Sequence, residues 1–409
     1  MGSTAAPARY VIIGNGIAGT TAAEMLRKGD PQATITIIGN EPHPLYNRVA
    51  LPRVLKLRTP PERIIIRDGE FHRENRLDLL LETTVTHVDT KAQVVSTDRS
   101  QEIPYDALLV ASGGRPNPLT VPGAAGTQSI YNFQSLDDTT ALMARMHEVQ
   151  QVVAVGGSYI AYEIAEAARA RGLDVTWLIR GPRFLRRILD EEGGSLADRI
   201  ARDAGVDVRY GEEVAEVHAQ QDSVHAVTTT GGERIACELL GVGVGLTLNT
   251  EFLRDTAVET RYGIVTNEYM ETTVPAVYGA GDVAEFYDVA IGRHHTMGTW
   301  NNAAAHGRVC AANMLGERRI YTEVPYYTST LFDSTMAVVG TTPEDRPDLE
   351  SLTRTDLPAR LYRRLFFFED RLVGAVLIGD IRTRRHLMNF IKSREAVSPS
   401  DREKLIMSS

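Results

Sequence analysis

Two glycine turns, each set between a short apolar strand and a helix, constrain this 409-residue chain more than any other feature. At the first, residues 10–13 form an apolar strand, GNGIAG is the turn, residues 20–27 read as a helix that stops near Gly29, Asp30 and Pro31, and ATITII follows as a second strand. The same order recurs later: VVAV, the turn GGSYIA, an alanine-rich helix over 159–171 ended by Gly172, and the strand DVTWLI. A strand that feeds a helix and returns as a parallel strand is the unit of doubly wound α/β sheets. Two such units predict two nucleotide-binding folds.

In the first turn Gly14, Gly16 and Gly19 satisfy G-x-G-x-x-G, with Ile17 and Ala18 between the last two. Each glycine has its own reason: a tight turn, close approach of backbone to a pyrophosphate, and tight packing of helix on strand. The helix start then offers unpaired N–H groups and partial positive charge to phosphate. Glu41, just past the second strand, is placed to accept from ribose hydroxyls. In the second turn Gly156 and Gly157 remain, while Ser158 and Ala161 take the other two glycine positions, with Tyr159 and Ile160 between them. Alanine is tolerated where only packing is at stake. Ser158 is small, and its hydroxyl is expected to donate to phosphate. Past the next strand Ile179 stands where an NAD-specific site carries an acid, and Arg180, Arg183, Arg186 and Arg187 follow. A missing acid with clustered arginine favours a 2′-phosphate.

Two further strands, YDALLVASGG and AVYGAGDVAE, are expected to return to the first sheet, so the second unit reads as an insertion in the first domain. The expected division is 1–118 and 246–320 for the first domain, 119–245 for the second, and 321–409 for a C-terminal α+β domain. In that tail, YRRLFFFEDRLVGAVLI alternates like two antiparallel strands joined at Glu369 and Asp370, and HLMNFIKS looks helical. No run is long and apolar enough to span a membrane, since LLGVGVGLTL is broken by Gly241, Gly243 and Gly245. MGSTAAPARY lacks the pattern of a secretory signal, and Ala6 stands where a myristoylation site has Ser or Thr; a cytoplasmic location is expected. A net charge of −9 argues against nucleic acid as a partner. With only Cys237 and Cys310, far apart, neither a disulfide framework nor a thiolate metal site is expected. His294 and His295 are adjacent and would point to opposite faces of a strand, which makes them poor joint metal ligands.

The ordered set GNGIAG, VASGG, VGGSYIAYEIA, VGVGLTLNT and YGAGDVA resembles the two-dinucleotide flavoprotein reductases. EPHPLYNRVALPR resembles the Pro-x-Tyr-x-Arg-x-x-Leu signature of ferredoxin and rubredoxin reductases and of the flavoprotein part of assimilatory nitrite reductases, and MGTWNNAAAHG resembles their Trp-x-Asn-Ala segment. The resemblance implies Rossmann-like FAD and NAD(P) domains, the second inserted in the first. It implies an FAD set of Gly14, Gly16, Ile17, Ala18, Gly19, Glu41, Arg48, Arg53, Val85, Ala111, Ser112, Gly113, Gly281, Asp282 and Trp300. Within that set Arg48 meets the phosphates, Asp282 a ribityl hydroxyl, and Trp300 the pyrimidine end of the flavin. For NADH or NADPH it implies Gly156, Gly157, Ser158, Tyr159, Ile160, Glu163, Arg180, Arg186 and Gly243. Arg53 and Glu163 are expected to pair beneath the nicotinamide and flavin. Two positions depart from the pattern: His306 replaces a common glutamine, and Ser112 a threonine.

No cysteine precedes Cys237, so the redox disulfide of many such flavoproteins is missing. The expected activity is hydride transfer from NAD(P)H to flavin N5, which needs no general base, followed by electron transfer to a small carrier such as rubredoxin or ferredoxin, or to a partner redox subunit. An NAD(P)H oxidase or quinone reductase remains an alternative, as does a redox-gated flavin-binding interaction protein like the apoptosis-inducing factors. Tail domains of this kind often form homodimer interfaces.

Overall fold

The computed structural model describes residues 6–407; the first five residues of the stretch read above for targeting signals lie outside the described residues. Two compact units emerge. One comprises the chain up to Asn47, Ile65–Arg115 and Leu248–Tyr326; the other comprises Arg48–Ile64, Pro116–Thr247 and the chain from Tyr327 onward.

The first unit is built on a five-stranded sheet in the order Val277–Gly279, Ala107–Val110, Arg9–Ile13, Thr34–Ile38, Asp78–Leu80, with every neighbouring pair parallel. A central parallel strand is covered on both faces, so it reads as one apolar run rather than an alternation. Tyr10 and Ile12 accordingly enter one core, with Ala18, Ala22 and Leu26, while Val11 and Ile13 enter another, with Val88 and Val95. Helices Ile17–Gly29 and Trp300–Met314 lie on the first of these cores through small residues, among them Ala23, Ala303, Ala305 and Ala311. Small side chains let the two helix backbones approach closely. At Gly307 a Cβ would stand 2.2 Å from the carbonyl oxygen of Ala18.

The second unit carries a parallel sheet in the order Val206–Tyr210, Asp174–Ile179, Gln151–Val155, Leu239–Val242, Ile130–Tyr131. Its C-terminal sheet runs Tyr326–Leu331, Ser334–Gly340, Arg371–Ile378, Leu361–Phe368, Glu350–Asp356. Leu361–Phe368 and Arg371–Ile378 pair antiparallel, and both residues between them are left-handed, Glu369 at φ 48° and Asp370 at φ 59°. That double left-handed step matches the twist of a tight hairpin. Helix Arg384–Ser393 follows and buries Leu387 and Ile391.

Residues 48–64 and the chain from Tyr327 onward group with the second unit. One carboxylate accounts for part of this. Asp190 caps helix Glu191–Asp203 by accepting from Gly193 N–H at 3.0 Å, and also accepts from the hydroxyls of Thr353 at 2.8 Å and Tyr362 at 3.0 Å. Among the described residues no helix is long and apolar enough to cross a membrane.

Gly307→Ala inserts a methyl where main chain already stands, so it is expected to destabilise the protein by about 1–3 kcal/mol. Denaturant titration against the unaltered protein measures this.

Candidate functional site

The first turn uses its glycines in three ways. Gly14 has φ +116° and a Cβ on it would lie 2.1 Å from the Ala111 carbonyl oxygen, so only glycine lets the turn touch the end of the neighbouring strand. A Cβ on Gly19 would lie 2.1 Å from the Gly14 carbonyl oxygen, which brings helix and turn into contact. At Gly16, by contrast, nothing lies within 4 Å. The open side of Gly16 lets a group approach the backbone closely. Helix Ile17–Gly29 begins there with no side-chain cap and no acid in its first turn, which leaves its first N–H groups to an anion.

Around that turn the implied FAD residues are held by neighbours that sequence reasoning missed. The Tyr46 hydroxyl donates to Glu41 Oε2 at 2.6 Å. Ser112 Oγ donates to the Asn249 carbonyl at 2.7 Å, and Asn249 Nδ2 donates back to the Ser112 carbonyl at 2.9 Å, so the serine keeps the hydroxyl role open to a threonine. Gly113, at φ +61°, has open space where a Cβ would stand. Gly281, at φ +75°, donates its N–H to His306 Nδ1 at 3.3 Å. His306 is fully buried between Phe286 and Tyr321, with ring centroids 4.6 and 4.7 Å away. Burial lowers its pKa to about 3, so it stays neutral and keeps the acceptor that a glutamine would supply. Asp282 and Trp300 are half-buried, the latter as the first residue of its helix. Val85 packs its side chain with Val88 and Val95, so an FAD contact there falls to its main chain.

The second turn repeats the close approaches. Gly156 has φ +122°, and its Cβ would meet the Gly243 carbonyl oxygen at 2.1 Å; a Cβ on Gly243 would meet the Ala161 nitrogen at 2.6 Å. A Cβ on Gly157 would meet the Ile179 side chain at 3.1 Å. Helix Tyr159–Ala170 starts without a side-chain cap and without an acid in its first turn. Its first N–H groups therefore suit a pyrophosphate. The Ser158 hydroxyl, expected to donate to phosphate, here donates to the Gly243 carbonyl at 3.0 Å. Tyr159 and Ile160 are half-buried, and the Tyr159 ring meets Tyr327 edge-on at 4.7 Å.

The arginine loop is less free than its sequence suggests. Arg183 Nε donates to the Leu189 carbonyl at 3.0 Å, Arg187 pairs with Glu344 at 3.3 Å, and Arg180 lies 3.6 Å from Glu213. Arg186 is exposed, with its stem alongside Gly181.

The expected Arg53–Glu163 couple is not formed. Helix Leu51–Leu55 buries Leu51, Val54 and Leu55, which turns Arg53 outward, and Lys56 closes the helix on the inner side. The pair that forms lies three residues further along both segments: Lys56 Nζ donates to Glu166 Oε2 at 2.6 Å, with side chains only 2% and 5% exposed. Thr330 Oγ1 donates to the same oxygen at 2.9 Å and accepts from Lys56 Nζ at 3.1 Å. The sequence signal for this pair was a charge on an apolar stripe, since Tyr162, Ala165 and Glu166 share one helical face. Glu163 is half-buried and raised in pKa to about 8, first by burial and then by Glu166, with Lys56 opposing. Arg48 donates to the Gln134 carbonyl at 2.8 Å.

His295 is buried with Nε2 3.3 Å from Asp288 Oδ2, whereas the His294 ring lies against Tyr287. Among the described residues no group of three or more His, Cys, Asp or Glu is arranged to hold a metal. Cys237 and Cys310 are free and buried, and burial raises Cys237 to about 12.

Two outcomes follow from this geometry. Gly16→Val is expected to leave the melting temperature of the apoprotein unchanged while cutting bound FAD severalfold, and Gly14→Val to lower that melting temperature. Absorbance of the flavin per protein and apoprotein melting separate the two. Glu163 binds its proton more tightly folded than unfolded, so its contribution is complete below pH 4.5 and lost as pH rises towards about 8. Glu163→Gln should match the unaltered protein at pH 4 and exceed its stability at pH 9, as read by denaturant titration at each pH.

The family model for pyridine nucleotide-disulphide oxidoreductases matches residues 8–307, and that for the rubredoxin NAD+ reductase C-terminal domain matches residues 330–395. The ferredoxin–NAD(+) reductase component of the anthranilate 1,2-dioxygenase system of Burkholderia cepacia is 31% identical over 332 residues, covering 81% of each chain. The nitrite reductase [NAD(P)H] of Bacillus subtilis (strain 168) is 27% identical over 401 residues, which is 96% of this chain and 48% of that one. The chain thus spans about half the length of that relative, and 50% of the assimilatory nitrate reductase electron transfer subunit of the same organism. The reductase in a solved covalent complex of putidaredoxin reductase with putidaredoxin superposes with a TM-score of 0.91 at 25% identity, covering 97% of this chain and 95% of that one. This chain belongs to the pyridine nucleotide-disulphide oxidoreductase family.

Proposed function

We propose that this chain is an NADH-dependent reductase of a one-electron carrier, namely a small iron–sulfur protein of the ferredoxin or rubredoxin kind, or a redox subunit of a larger assembly. The observation that carries the reading is the pairing of two phosphate-type turns with no usable redox thiol. Both cysteines are buried, and their thiols are held protonated by burial. Electrons that reach the flavin must then leave directly. FAD, when bound, accepts a hydride from the nicotinamide and returns the electrons one at a time.

The chain's own residues bind and orient. N–H groups at the start of Ile17–Gly29 take the FAD pyrophosphate across the open side of Gly16, Glu41 accepts from a ribose while Tyr46 fixes its carboxylate, and Asp282 accepts from the ribityl chain. N–H groups at the start of Tyr159–Ala170 take the second pyrophosphate, and Glu163 borders the nicotinamide. NADH is favoured over NADPH because Arg180 shares its surroundings with the Glu213 carboxylate, which repels a 2′-phosphate, and Arg183 and Arg187 are engaged elsewhere. The proposed location is the cytoplasm. Relatives named as ferredoxin and rubredoxin reductases support the carrier class.

Anaerobic stopped-flow reduction by NADH and NADPH in parallel tests this. NADH should bleach the flavin at least about tenfold more efficiently, a difference of roughly 1.4 kcal/mol. The reduced protein should then reoxidise faster with ferredoxin or rubredoxin than with dioxygen. Fast turnover with dioxygen or a quinone alone would sink the carrier assignment, and failure of either nucleotide to bleach the flavin would point to a flavin-binding interaction protein.

A further inference from the structure

The helix Tyr159–Ala170 presents two carboxylates to a region that holds one cation. Glu163 and Glu166 are three residues apart and so lie near one another on the helix surface. Lys56, the only cation paired there among the described residues, is committed to Glu166. Two ionised carboxylates beside one cation, Glu166 buried and Glu163 half-buried, would leave negative charge uncompensated, which is costly. One of the two must carry a proton.

Hydrogen bonding decides which. Glu166 Oε2 receives both the Lys56 ammonium at 2.6 Å and the Thr330 hydroxyl at 2.9 Å, so both donors of the cluster are spent on Glu166. Glu163 has no such donor among the described residues. The charged and titratable groups facing it are Glu166, Tyr159 and Tyr162 on its own helix, and Lys56 beyond helix Leu51–Leu55. From the strand Tyr326–Leu331, Thr330 is spent on Glu166 and through its carbonyl on the Tyr162 hydroxyl, while Tyr327 packs on Tyr159. The strands beneath the helix bring apolar contact, as where Ile164 fills the space over Gly241. Among the described residues no hydrogen-bond donor is paired with Glu163, and the Lys56 charge that favours its ionised form is paired with Glu166.

We propose that Lys56, Glu166 and Thr330 are positioning residues that keep Glu163 a neutral carboxylic acid at neutral pH, so that it offers the nicotinamide carboxamide oxygen a hydrogen-bond donor. The donor role rests on the reading that Glu163 borders the nicotinamide. The protonation state does not. The direction of the Glu163 pKa, raised by burial and by Glu166, agrees with the charge count. A neutral donor also spares the bound nicotinamide a negative charge that would otherwise stabilise its oxidised, cationic ring and oppose release of hydride-spent nucleotide.

Infrared difference spectra of the FAD-loaded protein and its Glu163→Gln variant at pH 7 test the protonation state without any nucleotide. A carboxylic acid C=O band present in the former and missing in the latter is expected, and its absence from the unaltered protein overturns the proposal. Glu166→Gln releases Lys56 to Glu163, so the band should disappear at pH 7 and its titration midpoint fall by roughly two units or more. A folded, flavin-loaded Glu166→Gln protein with the band unchanged overturns the role of the pair. Should that variant not fold, the comparison of the unaltered protein with Glu163→Gln still decides the protonation state. In the second arm, anaerobic flavin reduction by NADH is followed from pH 6 to 10. The unaltered protein should lose NADH affinity by up to about tenfold per unit above the Glu163 midpoint, and Glu163→Gln should be flat. If the band behaves as expected while Glu163→Gln keeps the same NADH affinity and pH profile, the charge balance stands and the nicotinamide contact is overturned.

Discussion

The helix starts stand over the strand ends only because main chain touches main chain without a side chain between them. At Gly14 and Gly19 in one unit, and at Gly156 and Gly243 in the other, an added Cβ would come within 2.6 Å of a backbone atom. No rotamer change relieves such a contact. Everything else about the nucleotide sites follows from it: the helix axis is aimed at the turn, the first N–H groups converge, and the open side of Gly16 is left for a phosphate. Ala161, in place of a third glycine, shows which part of the constraint is looser. Its methyl is fully buried, so it packs where helix meets sheet rather than where a ligand approaches.

Local grammar made the fold class legible. Strand, turn and helix are neighbours in sequence, and their signals are apolar runs, glycines and alternation, all of which act over a few residues. The hairpin at Glu369 and Asp370 was readable for the same reason. The arrangement around the site was harder to read, because it is made by partners distant in the chain: Ser112 with Asn249, 137 residues apart, and Lys56 with Glu166, 110 apart. Sequence pattern put Arg53 opposite Glu163 by family position, but helix facing decides pairing. Arg53 lies within the helix Leu51–Leu55 and is exposed, whereas Lys56 caps its end in a non-helical conformation and is buried. The Ser158 hydroxyl likewise finds a partner distant in the chain, the Gly243 carbonyl 85 residues away.

His306 illustrates how a departure from a family pattern can leave chemistry intact. A neutral imidazole and a glutamine amide both present one acceptor, and the Gly281 N–H needs only that. Burial among Phe286 and Tyr321 guarantees the neutral form, so the exchange costs the turn nothing in charge.

Glu166 holds together three parts of the chain that are far apart in sequence: the segment ending at Lys56, its own helix, and the first strand of the C-terminal sheet through Thr330. Tyr162 adds a second link from the same helix to the same threonine. The tail is therefore not an exchangeable module. A chimera that grafts the C-terminal sheet of another reductase onto this chain must bring a hydroxyl at position 330, or strip a donor from a carboxylate with no access to water, so inheritance of the tail and of the helix Tyr159–Ala170 is tied residue to residue.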